Sequence, residues 1–393
     1  MNPNFRWLVI ARFMFVMGTQ IQAVLMGWQM YDLTHDPLQL GLIGLAEAGP
    51  ALSLALVSGW LVDQFNPLKF YRMTLVLSFG SLWLASMAKE PKHLFVAAIL
   101  TGIARSFTSP AANSVIPRIV NRDEIRKSSA FTTIAFKGGM VIGPGIAGLL
   151  LAVQGYVLPY RMAMFFLIIA FACVLMIDYA HPKVVKAKNP ALLHELLVGV
   201  KFVFKHPVLL SVMSLDMFAV LFGGVVAMLP IYAAEVLHMG PDGLGWLRAS
   251  PAFGAIFMSY YLIRKPFSKN AGSALLWSVF GFGVSILIFG FSTNFWLSMF
   301  ALALSGALDA VSMVIRSAVV QLCSPEAMRG RIASVNAIFI GSSNEIGQFE
   351  SGVAAKLLGT VPSVIFGGTM TLITVALVAM GSKKLRELDL DQI

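Results

Sequence analysis

Nine charged side chains within apolar stretches long enough to cross a bilayer are the candidates for chemistry. The acids are Glu47, Asp216, Asp309, Glu345 and Glu350, and the bases are Arg12, Arg105, Lys137 and Arg316. A charge at the centre of a bilayer costs about 3 kcal/mol or more, so such residues pair, face water or do chemistry. A carboxylic acid in a low dielectric can carry a proton near neutral pH. Asp309, Glu345 and Glu350 are therefore the leading proton-carrier candidates, with Asp216 behind them. A cation can hold an anionic or phenolic group, which makes Arg105, Lys137 and Arg316 candidates for substrate binding. The competing expectation is that these charges only pair and hold a bundle together. Arg12 and Glu47 fit that role best, and Arg12 is close enough to a helix start to snorkel.

The charges are unevenly shared. Three of the four bases lie in the first half of the chain and four of the five acids in the second. Asp309 and Arg316 are seven residues apart, hence on one helix face but about two turns distant, so each needs a partner from elsewhere. The stretch "GSSNEIGQFESG" (341–352) carries two carboxylates in one spanning run. At about 100° per residue from Gly341, Glu345 falls at about 40° and Gly352 at about 20°. Glu350 falls at about 180°, with Ser343 at about 200° and Asn336 at about 220°. The two acids are expected on opposite sides, Glu345 on a small-residue face and Glu350 on a polar stripe.

The elements that must carry these residues are legible in composition. The 393 residues are 58% hydrophobic and 12% charged, with mean hydropathy +0.79. About a quarter of a soluble domain is charged, so this is an all-α polytopic membrane protein. Twelve spans are predicted, roughly 6–31, 38–62, 68–88, 93–118, 128–153, 158–179, 208–234, 244–263, 271–291, 295–322, 332–357 and 361–381. The net charge of +10 does not point to nucleic acid. Lys and Arg gather in alternate loops, among them Lys69, Arg72, Arg118, Lys201, Lys205, Arg264, Lys383 and Lys384. By the positive-inside rule those loops and both termini are cytoplasmic. The cationic break at 181–207, with a helix start expected at Asn189–Pro190 and an amphipathic run after it, divides bundles at 1–180 and 208–393.

The halves align with one another. Residues 124–148 lie on 327–352 at an offset near 203, one residue more past the middle, so that Gly143 meets Gly347 and Gly148 meets Gly352. Parallel six-helix repeats are the plan of the major facilitator superfamily. "GPGIAG" (143–148) matches a dinucleotide fingerprint only in letters, since no strand precedes it. Small residues there let a helix approach its neighbour closely, and Pro144 bends it. No zinc-protease, nucleophile-elbow or P-loop signature is present, and all six histidines lie in loops or at span ends. No enzyme, cofactor or metal site is expected, and no disulfide from Cys173 and Cys323.

"GGMVIGPGIAG" resembles the helix-5 antiporter motif of major facilitator exporters, carried by Gly139, Gly143, Pro144 and Gly148. "GWLVDQFNPLKFYRM" is similar to the superfamily's loop between helices 2 and 3. Gly59 and Asp63 match it, Gln64 replaces the usual Arg, and Lys69 and Arg72 are displaced. The resemblance implies that this loop gates. "WQMYDLTHDPLQLGLIGL", "SPAANSVIPRIVNRDEIRKSSA" and "QLCSPEAMRGRIASVN" resemble the branch that holds enterobactin-exporter and macrolide-efflux proteins. That resemblance, over nearly the whole chain, implies a proton-coupled antiporter of the bacterial inner membrane that exports a siderophore-like or amphipathic molecule by alternating access. The expected partners are that small molecule, protons and the bilayer, with the chain a monomer. The rivals are a broad drug or macrolide pump, a divalent-metal exporter using Asp216, Asp309 and Glu345, a lipid flippase, and a membrane scaffold or enzyme.

Overall fold

The computed structural model describes residues 2–120, 125–178, 192–264, 270–325 and 328–389. The first half holds α1 (Pro3–Thr34), α2 (Pro37–Gln64), α3 (Pro67–Ser86), α4 (Pro91–Ile119), α5 (Ile125–Gln154) and α6 (Val157–Leu175). After α7 (Leu192–Lys205) come α8 (Pro207–Gly223), a 3₁₀ turn (Val226–Met228), α9 (Leu229–Ile231) and a π turn (Tyr232–Val236). α10 (Pro241–Arg264), α11 (Ala271–Phe291), α12 (Phe295–Leu322), α13 (Arg329–Leu358), α14 (Thr360–Gly381) and α15 (Lys383–Arg386) follow.

The helix starts follow from local chemistry. Proline at the first helical position gives up an amide that would be unsatisfied anyway, and a polar residue before it takes the next one. Asn2, Asp36 and Asn66 do this for α1, α2 and α3, accepting from the amides of Asn4, Leu38 and Leu68 at 3.0, 3.1 and 2.9 Å. The expected cap at Asn189–Pro190 lies outside the described residues.

Among the described residues, eight helices are both long and apolar enough to cross a bilayer: α1, α4, α5, α6, α8 with its continuation to Val236, α11, α12 and α14. The sequence predicts spans at α2, α3, α10 and α13 too. These are 28, 20, 24 and 30 residues long but do not meet the same apolar measure over their described residues. α10 carries Asp242, Arg248 and Arg264, and α13 carries Arg331, Glu345, Glu350 and Lys356, which is why length alone marks them.

The chain divides into two compact units, Met1–Ala187 with His238–Ala249, and Lys188–Leu237 with Ser250–Ile393. Within the first, α1 packs on α5 and α6, and α3 on α4 and α6. Within the second, α8 packs on α13 and α14, and α11 on α12 and α14. The two patterns are the same. The glycines that allow the close contacts also recur at an offset of 204. A side chain at Gly102 (α4) would strike the Glu47 carbonyl (α2), and one at Gly306 (α12) the Pro251 carbonyl (α10). A Cβ at Gly143 (α5) would meet the Met17 carbonyl of α1 at 3.3 Å, and one at Gly347 (α13) the Leu221 carbonyl of α8 at 2.7 Å.

Candidate functional site

The second unit gathers three of the candidate residues. Asp216 of α8 and Arg316 of α12 form an ion pair with side chains only 7% and 6% exposed. Asp216, Asp309 and Ser312 line one small cavity, closed by Val279, Phe282 and Leu308. The Ser312 hydroxyl is buried with no hydrogen-bond partner among the described residues. Arg316, expected to be available to a substrate, is thus occupied by Asp216. Its requirement for a partner outside its own helix is met by α8.

On α13 the expected separation of the two carboxylates is only partly realised. Glu345 is buried (5%), as its small-residue face implies, and Glu350 is half-buried. Yet Ser343, assigned to the stripe of Glu350, is buried as well at 1%. The reason is that α13 is covered on more than one side. Gly347 lies against the α8 backbone, and the Ser351 hydroxyl donates to the Gly224 carbonyl at 2.9 Å. α7 reaches the start of the same helix, where a Cβ at Gly199 would meet the Arg331 carbonyl at 3.1 Å.

In the first unit Arg105 of α4 meets Glu47 of α2 at 2.5 Å, with side chains 47% and 25% exposed. The glycine contact at Gly102 sets α2 against α4 and so makes this pair possible. Arg12 donates to Asn113 of α4 at 3.3 Å and lies 5.7 Å from the Phe136 ring centre of α5, so it is held by neighbours as well as by proximity to water. Lys137 of α5 is half-buried. Offset by 204, Arg12 corresponds to Asp216 and Arg105 to Asp309. Equivalent positions of the two repeats therefore carry opposite charge.

One charged residue escapes the sequence reading. Arg248 of α10 lies inside the predicted span 244–263, which was the available signal. Its guanidinium donates to the Ala23 carbonyl of α1 at 2.8 Å, and Glu47 is the carboxylate whose charge acts on it.

The α5 motif has a packing role. A Cβ at Gly139 would come within 2.7 Å of Val16, and one at Gly143 within 2.7 Å of Gln20, both on α1. Gly148 instead meets α10, where its Cβ would lie 2.8 Å from the Gly245 Cα. Most of the stretch expected as a gating loop is helical: Gly59 lies in α2 and faces open space, and on α3 Lys69 is exposed and the Arg72 Nε is buried with no partner among the described residues. The side chain of Asp63, the expected latch, lies outside the described residues. Among the described residues no group of three or more His, Cys, Asp or Glu could hold a metal ion, so Asp216, Asp309 and Glu345 do not assemble the ligand set that a metal exporter would need.

Long apolar helices, doubled packing and buried intramembrane charges define a multi-pass membrane transporter of the major facilitator kind. A family model described as transmembrane secretion effector matches residues 1–393, and the chain belongs to that family. The enterobactin exporter EntS of Escherichia coli O1:K1 is 28% identical over 336 residues, covering 84% of this chain and 80% of its own. EntS of Shigella boydii serotype 18 matches to the same extent. A mutant of the nucleoside transporter NupG superposes with TM-score 0.79 at 12% identity, covering 97% of this chain and all of that one. A POT family transporter in complex with 5-aminolevulinic acid gives 0.76 at 12% identity, covering 98% and 97%. At such identities the likeness to the solved structures is one of fold alone.

Proposed function

We propose that this transporter is a secondary active exporter, a proton-coupled antiporter that moves a siderophore-like or amphipathic small molecule outward by alternating access. The observation that carries the reading is the buried Asp216–Arg316 pair with Asp309 and Ser312 on the same cavity. Protonating Asp216 removes the negative charge beside a buried guanidinium, and Asp309 lies on the same cavity as Asp216. Breaking a buried pair on one side costs about 3–5 kcal/mol, enough to shift a two-state equilibrium by more than a hundredfold. Proton binding in this unit can thus be exchanged for a change of conformation. Asp309 is the leading carrier, with Asp216 its paired neighbour and Glu345 and Glu350 of α13 as further acids.

Export direction and substrate class are supported by the family's description and by the relatives named as enterobactin exporters. The antiporter motif and the gating loop, Gly59 to Arg72, are assigned their roles by resemblance. The family and its Escherichia coli relatives support a bacterial inner-membrane location, the cationic loops favour both termini in the cytoplasm, and the chain is read as a monomer. The test is coupled flux. Purified protein in liposomes carrying a pH gradient is given enterobactin or amphipathic drugs, and lumenal pH and solute are followed. Proton movement should require both the solute and the protein. Absence of coupled flux across the whole panel would sink the reading.

A further inference from the structure

Cations gather at one end of the second unit. α7 ends on Lys205, just before α8 begins at Pro207, and α14 ends on Gly381, just before α15 begins at Lys383. The Ser211 hydroxyl of α8 donates to the Ser382 hydroxyl at 3.0 Å. Ser211 is about 6 Å along α8 from Pro207, so α7 and α15 meet α8 at the same end. The chain past α14 is pinned there. The Gly272 amide of α11 donates to the Leu388 carbonyl at 3.1 Å and the Ser273 hydroxyl to the Arg386 carbonyl at 3.2 Å. Leu385 and Leu388 are buried, which leaves Lys383, Lys384 and Arg386 exposed. α7 is divided in the same way. Val203 is buried and Gly199 lies against α13, while Lys201, Phe204 and Lys205 are exposed. Over the described side chains of 198–206 and 382–389, these cations outnumber the carboxylates, Glu387 and Asp389. Glu387 reaches Lys383 at 3.8 Å, and that pair is open to solvent.

α8, α11 and α14 are long and apolar enough to span, and all three have an end here. A cation just beyond a spanning helix sits at headgroup depth, where basic clusters attract anionic lipids. Phe204, 59% exposed next to Lys205, adds an apolar side chain suited to the headgroup–acyl boundary. That pairing of apolar and basic groups fits a lipid surface better than a soluble polyanion.

We infer that Lys383, Lys384 and Arg386 of α15, with Lys201 and Lys205 of α7, form a binding surface for the phosphate headgroups of anionic phospholipids. The lysines act as point charges and Arg386 as a planar fork that fits two phosphate oxygens. The inference uses only the membrane-spanning fold; neither proton coupling nor the transported solute enters it.

Lipid binding to the full chain in detergent, followed by native mass spectrometry, tests it. The probes are phosphatidylglycerol and phosphatidylcholine with the same acyl chains. Each basic residue near an anionic surface is worth about fivefold in affinity, so the wild type should bind the first phosphatidylglycerol about fivefold tighter or more. Replacing Lys383, Lys384 and Arg386 together by Gln should reduce that preference to about twofold or less, and Lys201→Gln with Lys205→Gln should also lower it. Phosphatidylcholine binding should not change. Lys383→Arg with Lys384→Arg, which keeps the charge, should retain the preference. Lys89→Gln with Lys92→Gln, exposed between α3 and α4, should leave it intact. The surface is refuted if the wild type shows no preference, if the triple variant keeps it, or if the Lys89 and Lys92 variant loses as much. Displacement of phosphatidylglycerol by millimolar inorganic phosphate would make this a small-anion site and overturn the lipid assignment.

Discussion

Gly148 of α5 and Gly245 of α10 touch backbone to backbone. A Cβ on Gly245 would lie 2.9 Å from the Gly148 Cα and 2.7 Å from the Pro144 carbonyl. Neither neighbour is a side chain that could swing away.

Gly148→Ala should therefore push two helices apart, costing about 1–3 kcal/mol as overpacking does. Gly145→Ala on the same helix meets nothing within 4 Å and should be neutral or slightly stabilising, because alanine is the better helix former. Thermal unfolding of the two variants in detergent checks this. Equal midpoints would mean that the seam tolerates a methyl group.

Asp216→Asn leaves the Arg316 guanidinium buried without its counter-charge. A loss of about 3–5 kcal/mol is expected. The double variant Asp216→Asn with Arg316→Gln should recover most of that loss, and a double-mutant cycle on unfolding midpoints measures the coupling. Additive losses would show that the pair contributes no interaction of its own.

Glu47→Gln should cost less than Asp216→Asn in spite of the 2.5 Å contact, because the Glu47–Arg105 pair is far less enclosed by the protein than Asp216–Arg316. The contrast with Asp216→Asn, measured under identical conditions, isolates burial as the variable. A loss as large as that of the buried pair would contradict it.

Under the proposed antiport, Asp309→Asn should still bind the transported solute but lose the pH dependence of that binding, since a side chain that cannot ionise cannot exchange protons with solute. Glu345→Gln, tested alongside, reports whether the buried acid of α13 shares the task. Binding measured over the neutral range decides between them. An unchanged pH profile in both variants would move proton coupling away from these acids.

Much of this is legible in the amino-acid sequence. The apolar runs mark where helices lie, and the caps at Asn2, Asp36 and Asn66, each followed by proline, mark where three of them begin. The repeat was visible as an alignment of 124–148 on 327–352, and the packing extends it, with Gly102 and Gly306 in like contacts. Ion-pair partners were not legible. Glu47 and Arg105 are 58 residues apart, and Asp216 and Arg316 a hundred, so no local periodicity links them. The burial of Ser343 was missed because helical phase gives one helix's faces but not how many neighbours cover them. Arg248 could have been found, being a charge inside a predicted span.

The Ser351 bond to Gly224 has a bearing on α8 that its length conceals. Beyond Gly223 the chain passes through a 3₁₀ turn, a single α turn and a π turn in quick succession, from Val226 to Val236. Each change of winding gives up part of the regular ladder that makes a membrane helix rigid. The irregular stretch is braced from outside by two neighbours: Ser351 of α13 donates to the Gly224 carbonyl at 2.9 Å, and Tyr232 of the π turn donates to the Phe289 and Gly290 carbonyls of α11 at 2.8 Å. The same helix that carries Glu345 and Glu350 is thus one of two splints for a stretch whose own ladder is broken.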